Sequence, residues 1–441
     1  MFSPTQLTQM HELLAPVAAP PAKVAKRVPL RENFAWTLAG NAIYAVCQWG
    51  MLVSIAKLGT PVMLGQFALA LAVAAPVFML TGLQLRVVLA TDARDEYRLG
   101  HYLAPRLLGT AVALILIAGF VPFSHLHRDT AIVILLVGVA KAVEMLGDII
   151  HGFWQKHERF DKIAIALAGR GIGSVAVMAA ALYVTRSIAF ATAATALFWL
   201  LWLATYEHKG AKNLLASVSP QEFLRAEWDM VKCRRLVVLG LPLGVVMFLL
   251  SLNANIPRHF LEHYWGESAL GYFAAMAYVF VAGNTVISAM GQSATPRLAR
   301  YFDSDRPAFA RLLTNMVLLG AIVGILGIGL ALFFGPTFLR LVYRADYAQY
   351  AAVLTWLMAA AAFAYVASIL GYGMTAARVF RPQVPLFLAA TSVTALACWF
   401  LVPRLGLMGS AYAILIGSVF SCAGSAYFVF TSLRSQPRIG V

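Results

Sequence analysis

The chain has 441 residues, of which 61% are hydrophobic and only 12% charged, and its mean hydropathy is +0.77. Soluble domains carry about a quarter of charged residues, so this composition excludes one large soluble core and indicates an all-α polytopic membrane protein. The formal net charge of +15 raises the alternative of a nucleic-acid partner. The four cysteines lack CxxC and metal-ligand spacing, so we expect neither a disulfide framework nor a metal site.

The chain begins with residues 1–32, a polar segment rich in Ala and Pro that lacks a signal-peptide pattern and is expected to be a flexible cytoplasmic tail. Twelve apolar runs follow it. Their expected bounds are 34–56, 65–90, 106–123, 130–153, 163–184, 187–206, 236–256, 268–292, 311–335, 349–376, 383–402 and 407–431.

The longest polar segment, 207–235, divides the twelve runs into six and six. The sequence therefore predicts an N-terminal six-helix bundle at 33–206, a cytoplasmic linker at 207–235, a C-terminal six-helix bundle at 236–431 and a cytoplasmic tail at 432–441. Within the linker, 219–235 is expected to form an amphipathic surface helix. Six spans return the chain to its starting side, so any repeat relating the halves is expected to be parallel.

The basic residues are concentrated on one side of the predicted membrane topology. With the N-terminus inside, 24 of the 34 Lys and Arg residues fall in cytoplasmic segments and seven in external loops. Because such a bias orients membrane proteins, we expect both termini in the cytoplasm. The bias also explains the basic charge without nucleic acid.

The fourth span contains the charged stretch KAVEMLGDIIHGFWQ. Helical spacing places Lys141, Glu144 and Asp148 on one face, with Lys141 about 18 Å from the cytoplasmic end of the span. A charge facing lipid there costs about 2.5–3.5 kcal/mol. Arg170, in the glycine-flanked GRGIG of the fifth span, lies as far beyond the intervening turn as Glu144 lies before it. We predict that Glu144 and Arg170 pair or share a water-filled cavity, with the glycines permitting close helix approach.

Two interpretations of these charges remain open. The ion pair either only locks the hairpin of spans four and five, or it lines a hydrophilic lumen that contacts an anionic substrate or a coupling ion. Arg86, one turn from the end of span two, either joins that lumen or snorkels to the interface. The polar stripes with Asn41 and Gln48 in span one, and Asn284 and Gln292 in span eight, either face the lumen or hydrogen-bond between helices.

Catalytic and nucleotide-binding signatures are missing from the sequence. It contains no Walker A motif, no GxSxG and no HExxH. We expect no enzymatic activity, no direct use of ATP and no cofactor.

The region 31–106 resembles the N-terminal region of bacterial polysaccharide-biosynthesis flippases, the Wzx-like proteins of O-antigen, capsule and lipopolysaccharide assembly. The resemblance depends on LGQFALA (64–70), LQLR (83–86), the pattern TDAR…Y…G.Y…R that follows, and GLMGSAYAILIG (406–417). It implies the fold of the multidrug/oligosaccharidyl-lipid/polysaccharide exporter (MOP) superfamily, which also contains the MATE transporters. In that fold two six-helix bundles surround a central cavity and alternate its access.

The resemblance also implies a function. Such proteins move a polyprenyl-diphosphate-linked oligosaccharide from the cytoplasmic to the outer leaflet of the bacterial inner membrane. Arg86, Lys141 and Arg170 would then supply a cationic lining, and Glu144 or Asp148 would bind a coupling proton or sodium ion. The partners implied are the lipid-linked oligosaccharide, membrane lipids and other polysaccharide-assembly proteins. The C-terminal half is expected to lack embedded charge, which would make the lining lopsided.

Three alternatives are weighed against this function. An organic-cation antiporter of the same fold would need embedded carboxylates with fewer cations. A lipid II flippase usually has fourteen spans, whereas twelve are counted here. A glycan polymerase or ligase would need a substantial external loop with catalytic residues, and the longest expected external loops are short.

Overall fold

The computed structural model describes residues 30–92, 95–124, 126–377, 379 and 382–434. These residues form α-helices joined by short 3-10 and π turns, with no β-strand among them. The helices are α1 (Leu30–Leu58), α2 (Pro61–Thr81), α3 (Leu85–Thr91), α4 (Leu99–Phe120), α5 (Arg128–Lys156), α6 (Phe160–Thr185), α7 (Ile188–Trp202), α8 (His208–Val218), α9 (Met230–Ser304), α10 (Arg306–Val342), α11 (Ala351–Ala376) and α12 (Gln383–Arg434).

Ten helical segments of the described chain are long and apolar enough to cross a membrane. Helix α9 has 75 residues, about 110 Å if straight, which far exceeds the roughly 30 Å of bilayer hydrocarbon. Helices α9 and α12 are each interrupted by one non-helical glycine, Gly266 and Gly406. Each therefore consists of two legs, an arrangement compatible with the twelve expected crossings. We call the side of the membrane where α1 begins proximal and the other side distal.

Gly266 and Gly406 allow their helices to reverse direction without a loop. Their φ angles are +77° and +56°, values that side chains with a Cβ adopt only at a cost. The indole Nε1 of Trp265 donates a hydrogen bond to the carbonyl oxygen of Val402 at 2.8 Å, and its ring packs over Gly406. The two distal reversals are thus tied to each other, and the expected loop at 257–267 is replaced by continuous helix.

The helices contact each other in two groups: the first group is α1–α8 and the second group is α9–α12. The groups meet along α2 and α9. Near the distal end, a Cβ on Gly65 would overlap the backbone of Glu267, and one on Gly271 would overlap the carbonyl of Pro61. In the proximal half, Gly240 of α9 lies against the carbonyl of Leu83. The groups therefore approach backbone to backbone on both sides of the membrane, as small residues allow between membrane helices.

The predicted linker has a different local structure from the one expected. Residues 219–229 are not helical, so the amphipathic helix expected at 219–235 is wrong. The amphipathic segment is α8 instead, with Ala211, Leu214 and Leu215 buried and its lysines outward. The expected tails lie mostly outside the described residues, which begin at 30 and end at 434. The domain boundaries and the parallel repeat stay predictions.

Replacing Gly406 by Ala is expected to lower the free energy of unfolding by about 1–2 kcal/mol, because a Cβ is disfavoured at positive φ and would lie 3.1 Å from the Trp265 ring. The matched control is Gly329→Ala in α10, where the Cβ meets no atom within 4 Å and Ala is the better helix former. Thermal unfolding of both variants in detergent measures the effect. Equal melting temperatures would contradict a structural role for the kink.

Candidate functional site: charge clusters within the membrane helices

The charged face of α5 is satisfied by partners from the helices around it. The Nζ of Lys141 lies 2.6 Å from Oε2 of Glu144. The other carboxylate oxygen of Glu144, Oε1, accepts a hydrogen bond from the hydroxyl of Tyr44 in α1 at 2.9 Å. Helix α1 packs mainly on α6, and α5 mainly on α2, α4 and α7. Tyr44 therefore bridges two helices that are not packed closely against each other.

Asp148, one turn further along α5, binds two arginines. Its Oδ1 lies 3.1 Å from Nη1 of Arg86, and its Oδ2 lies 3.3 Å from Nη2 of Arg106. The Arg86 guanidinium also donates to Oε1 of Gln155 at 3.3 Å. Arg86 thus points toward α5 and pairs with Asp148. It does not extend to the membrane interface, as the snorkelling alternative would require.

Arg170 does not pair with Glu144, so that form of the prediction is wrong. Its Nη2 lies 2.6 Å from Oε1 of Glu207, and its guanidinium lies over the ring of Trp199, 5.6 Å from the centroid. The same Glu207 oxygen lies 3.3 Å from Nε2 of His151. Arg170 and Glu144 remain close enough to interact electrostatically. The carboxylate that neutralises Arg170 comes from the end of the sixth span.

A π turn explains why Glu207 lies inside the protein. Residues Leu203–Glu207 form it after α7, and the wider turn changes the helical phase. Glu207, the first residue of the predicted linker, is therefore fully buried.

The glycines near Arg170 were expected to permit close approach of the fourth and fifth spans, but they contact other helices. Gly169 and Gly173 admit aromatic side chains of α7, and Gly171 admits Cys47 of α1, so these glycines serve contacts with α7 and α1.

The charged side chains form two tiers. Arg106, Arg170 and Glu207 are at most 2% exposed. The side chains of the other tier are 23% to 32% exposed; they are Arg86, Lys141, Glu144 and Asp148. The first tier holds the helices together, whereas the second tier is partly exposed at membrane depth.

The other predicted site residues occupy different surroundings. Asn41 is exposed and donates to the carbonyl of Thr37 in its own helix, while Gln48 lies beside Tyr44. Asn284 lines a cavity of about 690 Å³ within the second group. Gln292 is exposed and is not part of that lining. The predicted residues are therefore not gathered in one place.

The cavity corrects the expectation that the C-terminal half lacks embedded charge. Arg258 of α9 lines it, eight residues and about 12 Å before the kink at Gly266. The sequence had placed Arg258 in an external loop because the helix was expected to end near residue 256. The polar spacing of Ser251, Asn255 and Arg258, at i, i+4 and i+7, was the signal available for a continued helix with one polar face.

The sequence also failed to identify three further charged residues as embedded, for similar reasons. Arg106 was assigned to a cytoplasmic loop and Glu207 to a linker, yet both are buried. Glu267 joins the two groups on the distal side. It accepts a hydrogen bond from Gln66 of α2 at 3.0 Å and one from Thr130 of α5. Each of the three stands at the edge of an apolar run, where a boundary error of a few residues hides an embedded charge.

A second distal contact involves aromatic side chains. Nε1 of Trp49 donates to the hydroxyl of Tyr343 at 2.9 Å, and the Trp49 ring stacks on Phe338. The guanidinium of Arg344 donates to the carbonyl of Gly59 at 3.3 Å. The distal side is therefore closed between the two groups.

On the proximal side, the linker is bonded to the first group of helices. His101 of α4 lies 3.2 Å from a carboxylate oxygen of Glu227, and Gly100 accepts a backbone hydrogen bond from Glu227 at 2.9 Å. Nearby, Asp92 is the first residue of the loop after α3. Burial opposes its ionisation, but backbone N–H groups and the charge of Lys156 outweigh burial and lower the pKa of Asp92. The linker thus seats against the first group.

No protein-family model matches the chain. The capsular polysaccharide biosynthesis protein CapF of Staphylococcus aureus is 27% identical over 398 residues, which cover 90% of this chain and 98% of CapF. The lipid II flippase MurJ in an inward closed conformation superposes with a TM-score of 0.71 at 12% identity, covering 90% of this chain and 89% of MurJ. The chain is a homologue of the capsular protein and has the fold of the MOP superfamily.

A multidrug-resistance MATE transporter in an inward-facing conformation also matches, with a TM-score of 0.60 at 13% identity over 91% of this chain and 94% of that one. The predicted resemblance to polysaccharide-biosynthesis proteins of the MOP superfamily is confirmed, as is the predicted all-α membrane fold. The CapF-like chain is a multi-pass membrane protein.

Gly147→Ala is expected to disturb the buried tier, because a Cβ there would overlap Oε2 of Glu207 and Nη2 of Arg170. Forcing a methyl group into packed surroundings costs about 1–3 kcal/mol. Gly138→Ala in the same helix is the matched control, since its Cβ would lie 3.6 Å from Ile117, an ordinary contact. Thermal melting of the purified variants compares them. A Gly138 variant less stable than the Gly147 variant would contradict the packing described.

Glu207→Gln is expected to cost about 3–5 kcal/mol, because it leaves the buried Arg170 without its counter-charge. Glu144→Gln should cost far less, since Lys141 is 26% exposed and can be hydrated. Unfolding free energies of the two variants, with wild type as reference, provide the measurement. Equal losses in both variants would mean that the two tiers do not differ as described.

Proposed function

We propose that this CapF homologue is a flippase. It moves a polyprenyl-diphosphate-linked oligosaccharide from the cytoplasmic to the outer leaflet of the bacterial cytoplasmic membrane, for assembly of a capsule-like surface polysaccharide. Both termini then lie in the cytoplasm, as the distribution of Lys and Arg favours. The likeness to CapF over nearly the whole of both chains supports the polysaccharide class.

The observation that carries the proposal is the accessible tier of charges on α5 and its neighbours. A charge facing lipid is costly, and a charge that only stabilised the fold would be buried with its partner, like Arg170 with Glu207. Arg86 and Lys141 instead keep a quarter to a third of their side-chain surface accessible. A glycan with a diphosphate requires such a polar, partly cationic path, while its lipid tail stays in the bilayer.

Ion exchange within the accessible tier gives a mechanism. Lys141 is held by Glu144, and Arg86 by Asp148. An anionic substrate group competes with these carboxylates for the same cations. A proton or sodium ion that binds Glu144 or Asp148 releases the paired cation to the substrate, which couples ion movement to substrate binding. No ATP site is needed for this cycle.

Alternating access requires that the contacts between the groups break one side at a time. The distal contacts at Trp49, Tyr343 and Glu267 and the proximal contact at Gly240 are both present in this conformation. We infer an occluded state, from which either side opens by movement of one group against the other. Other polysaccharide-assembly proteins are proposed as partners that supply or receive the lipid-linked glycan.

The experiment is to locate the lipid-linked glycan in cells that lack the gene. We expect it to accumulate in the cytoplasmic leaflet, and the intact gene to restore export. A gene encoding Lys141→Gln and Arg86→Gln should not restore export, whereas Arg340→Gln, which removes an exposed arginine at the end of α10, should do so. Normal surface glycan without a trapped intermediate would overturn the proposal and direct attention to efflux of organic cations.

A charge exchange at the Lys141–Glu144 pair distinguishes a structural role of the pair from a functional one. Exchanging the two residues (Lys141→Glu with Glu144→Lys) preserves the i, i+3 ion pair but moves each charge by one turn. If the pair only stabilises the fold, the double variant should export glycan better than either single variant. We expect folded protein with export reduced at least tenfold, measured as surface polysaccharide against protein abundance.

A further inference from the structure

Arg258 is the one charged residue among those that line the 690 Å³ cavity of the second group. The cavity lies between the first leg of α9, its second leg, α11 and α12. It is separate from the charge clusters around α5, none of whose residues line it. A single guanidinium in this cavity influences strongly what the cavity can bind.

Arg258 has no carboxylate within 4 Å among the described residues. This distinguishes it from Arg86, Arg106 and Arg170, each of which has an acidic partner. An embedded charge without a counter-charge is strongly unfavourable. A ligand from outside the chain can supply the missing negative charge.

The guanidinium is held in position from one side only. Its Nη1 donates to Oδ1 of Asn255 at 2.7 Å, and the amide of Asn255 donates to the carbonyl of Ser251 at 2.8 Å. The Nε of Arg258 and the Oδ1 of Asn253 are buried without a hydrogen-bond partner. Asn255 thus orients the guanidinium at the cavity wall without a carboxylate partner, so its charge is available to an anion.

The cavity walls indicate an amphiphilic ligand. One part of the lining is apolar, with Leu249, Phe273 and Phe280, and another part carries the hydroxyl groups of Ser368 and Ser421. No acidic residue lines the cavity in the described chain, which disfavours a cationic ligand. Walls of this kind suit a phosphate group joined to a hydrocarbon chain better than a fully hydrated anion.

We propose that this cavity is an anion-binding site in which Arg258 binds a phosphate or diphosphate group, and that the attached hydrocarbon contacts the apolar wall. The anion site rests on the geometry, whereas its assignment to the lipid carrier rests on the proposed function. His259, next to Arg258, lies 3.3 Å from the carbonyl oxygen of Ala72 in α2. The site therefore adjoins the contact between the two groups, and its occupancy can influence their separation.

The test uses the full-length protein in lipid nanodiscs and three small probes: farnesyl diphosphate, inorganic pyrophosphate and farnesol. Wild type should bind farnesyl diphosphate, as measured by microscale thermophoresis and by a rise in melting temperature. Arg258→Gln should weaken this binding about tenfold to a hundredfold, the usual effect of losing hydrogen bonds to a charged group. Arg258→Lys should weaken it less, and Arg340→Gln should leave it unchanged.

The probes distinguish a lipid-linked from a free anion. Weaker binding of pyrophosphate than of farnesyl diphosphate supports a lipid-linked ligand, and equal binding of the two overturns that part. Farnesol binding as tightly as farnesyl diphosphate would overturn the anion site. Ser418→Trp, which fills the cavity but keeps Arg258, should also abolish binding and serves if Arg258→Gln does not fold.

The proposed anion site and the proposed export function can be disproved independently of each other. Unchanged farnesyl diphosphate affinity in Arg258→Gln would overturn the site, whatever the export phenotype. Loss of binding in that variant would support the site even if cells lacking the gene showed no trapped glycan, in which case the proposed export function alone would fail.

Discussion

A charged side chain within the hydrocarbon region needs a counter-charge, because lipid tails offer none. The first group of helices is arranged around this requirement. Helix α5 contributes Glu144 and Asp148, while Arg86, Arg106 and Arg170 reach toward it from α3, α4 and α6. Glu207 supplies the remaining negative charge from the end of the sixth span. The ion pairs thereby determine which helices are neighbours, beyond what apolar packing specifies.

The contact between the two groups obeys a different constraint, that of close approach. Glycines at positions 65, 240 and 271 bring α2 and α9 together through their backbones, and few long side chains need to be reordered when such surfaces separate. The specific polar bonds lie at the edges, at Glu267 on the distal side and at His101 on the proximal side. The two groups thus meet mainly along one pair of helices, an arrangement suited to movement of one group against the other.

The sequence was sufficient to predict the membrane class, the all-α fold and the charged face of α5, because hydropathy and helical spacing are local properties. It did not reveal which partner each charge would take. Glu207 depends on a π turn that shifts the helical phase by about one residue, and such a shift has no hydropathy signal. Arg258 is embedded because the first leg of α9 extends to Gly266, ten residues beyond the end expected from the sequence. This boundary error assigned an embedded arginine to an external loop.

The crossing of α2 over both legs of α9 has a mechanical consequence. Its distal end contacts the leg that follows Gly266, and its proximal end contacts the leg that precedes it. Because Trp265 ties the Gly266 reversal to α12, we expect the two legs and α12 to move together. When one end of α2 separates from them, we expect the contact at the other end to remain. The geometry therefore disfavours a state open to both sides at once, which would dissipate any ion gradient across the membrane.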